Sequence, residues 1–485
     1  MNLSDVGGMS PEVVGAKARG LGEMIELGLP VPRGFVLTTK CHAEWRLLGG
    51  RMPERVWGAI RAEVEDLDRV TGRTFGSPEA PLLLAVRSGA ATSMPGVMDT
   101  ILNVGIVPGM GNGNTAGSDA QRWLADTQER FARSYQEIVV GGDGRVPLDA
   151  WEQLRAALDA VLASAEGPRV QAYSGHQVRV DHVLTAVVVQ EMVFGNRDNL
   201  SGSGVAISRD PLTGQKGLYG DWLPCSQGDD VVSGWATPED LGQLANAMPR
   251  VHEQLTGIAE MLESSVGDLV EVEYAIEAGQ LFLLQVRRGQ AALDAAPRIA
   301  VELAREGHID KRVAISRISA LCLPSRMPDR SDATTGKLVA IGIPASTGVA
   351  SGMIATHLAS ALRLLEEEIP FVLARPFTTP QDLPVLLESA AVITERGGRT
   401  SHAAVVCREL GIPCVVGCGD GALGELGHRI VTVNGATGEI DEGSWCPDEI
   451  RRDSEYMREL LDWAMELAPG MQVRRSDAGD PFRSR

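Results

Sequence analysis

Hydrophobic and polar positions follow one another in short blocks along this chain, and the period changes from block to block. Residues 82–87 (LLLAVR) form an apolar run of strand length that gives way to the small-residue stretch SGAATSMPG. Between about 120 and 165, AQRWLADTQERFARSYQEI and LDAWEQLRAALDAVLASA carry apolar residues at three- and four-residue spacing, which predicts helices. The β-branched run LTAVVVQEMV (184–193) predicts a central strand. VEVEYAI and LFLLQV, separated by EAGQ, predict a hairpin.

Residues 297–321 read as a helical connector, and LPSRMPDRSDATTGK after them has the prolines, charges and small polar residues of a linker. Short strand patterns then recur in VLARP, AAVIT, PCVVG and RIVTVN, and a last helix is expected from roughly 448 to 467, with Pro447 at its start. The expected division is a first domain over 1–296, a connector and linker over 297–336, a second α/β domain over 337–445, and a C-terminal helix and tail over 446–485.

With 485 residues the chain is long enough for two or three domains, and 44% hydrophobic with 22% charged residues is ordinary globular composition. A formal net charge of −19 opposes nonspecific nucleic-acid binding, which draws on basic surface. No apolar run of ~18 residues predicts a membrane span. The opening MNLSDVGGMSPE lacks the basic and apolar segments of a signal peptide, so a cytoplasmic location is expected. Seven sparse cysteines read as reduced thiols. Cys407, Cys414 and Cys418 cluster without a C-x-x-C pair, the pattern of small buried thiols rather than a zinc site.

The stretch ITERGGRTSHAAVVCRELGIPCVVG (393–417) carries the strongest chemistry. A strand ends in AAVIT, Gly397-Gly398 make a turn, and Thr400 or Ser401 is placed to cap a helix that Gly411 and Pro413 close. His402 then falls in the first helical turn, where unpaired amides and the positive dipole end disfavour an imidazolium. A neutral imidazole is a nucleophile, and a phosphoryl group on it would meet backbone donors and the hydroxyls of Thr400 and Ser401. A group that loads such a histidine is also needed. The chain holds no G-x-x-x-x-G-K-[ST] loop, so a P-loop kinase is excluded. The N-terminal half offers Lys17, Arg87, Arg287 and the pair Glu271 and Glu273. Basic residues suit triphosphate oxygens, and carboxylates two apart on a strand face one side and suit magnesium.

The run GGRTSHAA resembles the phosphohistidine signature of the phosphoenolpyruvate-utilising enzymes, with the pyruvate phosphate dikinase family the nearest in form; Arg399 stands where that family has Met. GAKARGLGEMIELGLPVPRGFVLTT, AVRSGAATSMPGVMDTILNVG, VVVQEMVFGNRDNLSGSGVAISRDPLTGQKGLYGDWLPCSQGDDVVSG and LLQVRRGQ resemble the ATP-grasp portion of the same family. The resemblance implies an α/β multidomain fold: an ATP-grasp nucleotide-binding domain followed by a swivelling β/β/α phosphohistidine domain. It implies ATP contacts at Lys17, Arg87, Arg169, Gln285 and Arg287, and Mg²⁺ at Glu271, where the family usually has Asp, and Glu273. His402, with Thr400 and Ser401 beside it, would take phosphate from ATP, giving AMP, with inorganic phosphate leaving as pyrophosphate. The family's acceptor barrel is not found after MQVRRSDAGDP, so the expected acceptor is a separate barrel subunit or a small molecule other than pyruvate. A non-catalytic nucleotide-binding phosphocarrier or regulator is the alternative from another class.

Overall fold

The structure is a computed structural model that describes residues 1–91, 98–110, 118–141, 144–167, 170, 184–234, 236–321, 337–424, 426–427, 429–444 and 455–467. The chain is mixed α/β and divides into two compact units that interleave in sequence. One comprises residues 1–204, 222–229 and 272–287; the other comprises 205–221, 230–271 and 288–485.

The first unit is built on a four-stranded antiparallel sheet. Its strands are β1 (Gly34–Leu37), β4 (Leu84–Ala90), β5 (Thr100–Val104) and β6 (Thr185–Glu191), in the order β1-β6-β4-β5. A small parallel pair, β2 (Thr74–Phe75) and β3 (Pro81–Leu82), precedes β4. The continuous apolar run of β6 reflects its central position, with residues 185–190 all buried. Helices Glu54–Thr71 and Ala150–Ser164 bury Val64, Leu67, Leu154, Leu158 and Val161 against Val86, Ile101, Val187 and Val189. Helix Pro11–Glu26 also lies on this sheet. Gly15 holds φ at +79°, and a Cβ there would stand 2.1 Å from the Gly89 carbonyl oxygen, so glycine is required for this approach.

A five-stranded sheet contains β7 (Gly202–Arg209), β8 (Lys216–Pro224), β9 (Glu239–Asp240), β10 (Val270–Glu277) and β11 (Gln280–Arg288), ordered β11-β10-β7-β8-β9. The expected hairpin is β10–β11; its turn residues Ala278 and Gly279 both have positive φ, 50° and 78°.

The eight-stranded sheet of the second unit contains β12 (Lys337–Ile341), β13 (Ile343–Ser346), β14 (Val349–Ala355), β15 (Phe371–Arg375), β16 (Ala391–Thr394), β17 (Cys414–Val416), β18 (Ile430–Asn434) and β19 (Glu439–Glu442). Its order is β12-β19-β18-β14-β15-β16-β17-β13. The run β14-β15-β16-β17 is parallel, and antiparallel strands flank it on both sides. Helices Leu358–Glu366 and His402–Leu410 are crossovers between parallel neighbours. Ile354, Val372, Ile393, Val415, Val431 and Val433 make the core, and Cys407 and Cys414 are buried thiols. The connector is two helices, Ala296–Arg305 and Lys311–Leu321, and the last helix is Glu455–Leu467. The expected linker (322–336) and Pro447 lie outside the described residues. Among those described, no helix is long and apolar enough to cross a membrane.

Candidate active site

Of the expected residues, Lys17, Arg87, Glu273, Gln285 and Arg287 lie in the first unit, and Glu271, Thr400, Ser401 and His402 in the second. In the first unit, the kink at Gly15 and the absence of a side chain at Gly20, where a Cβ would meet Val286 Cγ1 at 3.1 Å, let helix Pro11–Glu26 approach β4 and β11. Lys17 then falls within electrostatic reach of Arg87, Glu273 and Arg287. Arg87 donates from Nη1 to the Leu284 carbonyl oxygen at 2.7 Å and from Nη2 to Glu273 Oε2 at 3.2 Å. Burial, with the Arg87 charge beside it, pushes the Lys17 ammonium down to about 7, while Glu273 works against the fall. Burial alone would raise Glu273, but Arg87, Lys17 and Arg287 hold its carboxyl below the usual range. Three cations around one carboxylate leave positive charge to spare, as a polyphosphate site needs. Gln285 and Arg287 sit two apart on β11, half-buried, and Glu271 is buried two residues before Glu273 on β10. Arg169 lies outside the described residues.

The second cluster stands where the parallel strand β16 ends and its crossover helix begins, the end of an α/β sheet where ligands collect. The loop has Gly397 at φ +106°, Ser401 occupies the N-cap, His402 opens the helix, and Gly411 closes it in the left-handed conformation. Ser401 makes no side-chain capping bond. Among the described residues, neither its buried Oγ nor the buried His402 Nε2 has a hydrogen-bond partner. Burial pushes the His402 imidazole below its ordinary 6.5, with Asp382 opposing the shift. Asp382 is itself fixed by Thr379, whose N–H and hydroxyl donate to it at 2.8 and 3.0 Å. The result is an imidazole biased toward its neutral form, with its Nε2 and the preceding residue's hydroxyl both unengaged among the described residues at a helix N-terminus.

Thr400 behaves differently from Ser401. Its N–H and its hydroxyl both donate to Asp221 Oδ2, each at 2.7 Å, so its hydroxyl proton is already engaged. Sequence reasoning passed over Asp221. The available signal was a lone acid between Gly220 and Trp222 in the strand KGLYGDWLP, a position where burial demands a partner.

Two family models match separate stretches of the chain. Residues 42–253 match the model of the AMP/ATP-binding domain of pyruvate phosphate dikinase, and residues 368–438 match the mobile domain of phosphoenolpyruvate-utilising enzymes. Together the matches place the chain among proteins that carry the mobile domain of phosphoenolpyruvate-utilising enzymes. Within that class, the chain belongs to the pyruvate phosphate dikinase family. It is 33% identical to the chloroplastic pyruvate, phosphate dikinase of Flaveria trinervia over 94% of this chain and 54% of that protein. The pyruvate, phosphate dikinases of Clostridium symbiosum and Rhizobium meliloti are also 33% identical, over 93% and 95% of this chain and 58% and 59% of theirs. The chain thus spans little more than half the length of these curated relatives.

Proposed function

We propose that the chain is an ATP-dependent phosphotransferase that phosphorylates its own His402 and passes the group to an acceptor bound outside the two clusters. The observation that carries this reading is that, among the described residues, the buried His402 Nε2 and the buried Ser401 hydroxyl at the same helix start are both unengaged. A structural histidine in that position would be expected to bond its ring nitrogens. Residues 1–296 would form the ATP-grasp part and 337–445 the swivelling part.

Lys17, Arg87, Arg287 and Gln285 bind and orient the triphosphate, and the proposal extends the same task to Arg169. With its proton on Nδ1, His402 attacks the β-phosphorus through Nε2. The bond from the β-phosphorus to the oxygen bridging to the α-phosphorus breaks, and that oxygen leaves with AMP. Inorganic phosphate then attacks the γ-phosphorus, the β–γ bridge breaks, and pyrophosphate departs to leave phosphohistidine. First-turn amides and Ser401 receive the phosphoryl oxygens. Thr400 holds the loop. Glu271 and Glu273, hard oxygen donors two apart on one strand, suit Mg²⁺, which would neutralise phosphate charge and draw its remaining ligands from ATP and water.

Labelled ATP tests the scheme. Label at the β-position should stay on the protein after phosphate is added, and label at the γ-position should leave as pyrophosphate. Retention of γ-label with release of ADP would overturn β-transfer.

A further inference from the structure

We propose that Asp221 is a positioning residue for phosphoryl acceptance: by holding Thr400 it keeps Ser401 and His402 unengaged. This role rests on the function proposed above. Asp221 is fully buried, and burial raises its carboxyl above the ordinary value although Thr400 and Arg399 draw it down. A carboxylate so placed costs folding free energy unless it is well bonded. Its Oδ2 takes both the N–H and the hydroxyl of Thr400.

The loop is shaped around this contact. A Cβ on Gly398 would stand 2.5 Å from Asp221 Oδ2 and 2.4 Å from Pro238 Cγ, so only glycine lets the loop come this close. The Arg399 Nη1 lies 3.9 Å from Asp221 Oδ1, and its guanidinium stacks 5.6 Å above the Tyr219 ring. The loop is therefore gripped by the segment 219–221 on both sides of Thr400's amide.

An N-cap serine ordinarily turns inward and accepts from the second or third helical amide. Ser401 does not. With Thr400 pinned from outside and the Ser401 N–H donating to the Gly398 carbonyl at 3.2 Å, the start of the helix is fixed without a side-chain cap. Asp221 thereby relieves Ser401 of that duty, and among the described residues its Oγ, like His402 Nε2, is left without a partner. Asp221 lies in the stretch matched by the AMP/ATP-binding domain and Thr400 in the stretch matched by the mobile domain, so the contact joins the two family modules at the residue that starts the reactive turn.

The experiment compares wild type with Asp221→Ala, Asp221→Asn, Thr400→Val and the double variant Asp221→Ala/Thr400→Val. The readouts are the rate of AMP formation at saturating Mg-ATP, the KM for ATP and the thermal midpoint. Asp221→Ala is expected to slow the rate roughly ten- to a hundredfold, the scale of a misplaced reacting group, without changing the ATP KM. Asp221→Asn keeps an acceptor oxygen and should recover part of the rate. The double variant should be no slower than Asp221→Ala, because both changes remove one contact. If Asp221→Ala does not fold, Asp221→Asn and Thr400→Val carry the same comparison. Variants that retain the wild-type rate, a rise in KM in place of a fall in rate, or fully additive losses would overturn the role. A wild-type protein that forms neither AMP nor a covalent adduct would instead overturn the function, and this role with it.

Discussion

At the scale of single residues, the two clusters differ in how they are tuned. His402 is depressed by burial, so it is already neutral at a pH where a free histidine is still partly charged. Lys17 is depressed to about 7, so it loses its charge near neutrality in the free protein. The signs are opposite for phosphorylation. His402 must be neutral and gains competence as pH rises through a value below 6.5, whereas Lys17 must be charged and loses competence as pH rises through about 7. The kcat/KM for ATP should therefore fall on the alkaline side near 7, and Lys17→Arg, whose charge persists, should move that limb upward. An alkaline limb that stays in place in Lys17→Arg would assign it to another group. His402 and Lys17 were legible because each sits in a local motif. Asp221 was not, because its partner is 179 positions away and the pairing exists only once the chain is folded.

At the scale of elements, glycine and buried charge fix what hydrophobic pattern leaves open. Hairpin β10–β11 and strand β6 were readable from alternation and from a β-branched run. Strand β14 was not: it reads VASGMIA, and its Gly352 lies where a Cβ would be 2.8 Å from the Phe371 carbonyl carbon. Close approach to β15 selects small residues there and erases the apolar signal. The short edge strands β12 and β13 are half-exposed and carry little pattern of their own. Gly398→Ala should impair His402 phosphorylation far more than it lowers the thermal midpoint, since the new methyl would push the loop off Asp221 and Pro238. Equal losses in both would point to general misfolding.

Arg209 is a further buried charge that organises elements. It is fully buried at the end of β7 and bonds Glu263, Glu302 and Glu306, tying helices Pro249–Val266 and Ala296–Arg305 to the strand. Burial favours protonation of Glu306, but Lys216 and Arg209 hold its carboxyl below the usual range. Arg209→Met should cost about 3–5 kcal/mol, because Glu263 would stay buried without its cation. Urea unfolding measures this, and a loss under ~1 kcal/mol would show that the acids find other partners.

At the scale of the whole molecule, the pattern of the chain marked the connector and the second α/β region, yet the compact units cut through β7, β8, β10 and β11. A sheet whose strands contribute to two units leaves no compositional break at the point of division, so sequence marks linkers more readily than it marks units. His402 and the Lys17, Arg87, Glu273 and Arg287 group fall in different compact units. The net charge of −19 makes the cations of the Lys17 cluster a local exception, suited to an anionic substrate rather than to the surface as a whole.

The central claim is that His402 takes phosphate from ATP, and one measurement tests it directly. Wild type and His402→Ala are incubated with Mg-ATP, with and without inorganic phosphate, while nucleotide products and intact protein mass are followed. AMP together with an acid-labile mass increase in wild type, both absent from His402→Ala, is the predicted result. ATP left intact with no adduct in either condition, or an adduct that survives the loss of His402, would contradict it.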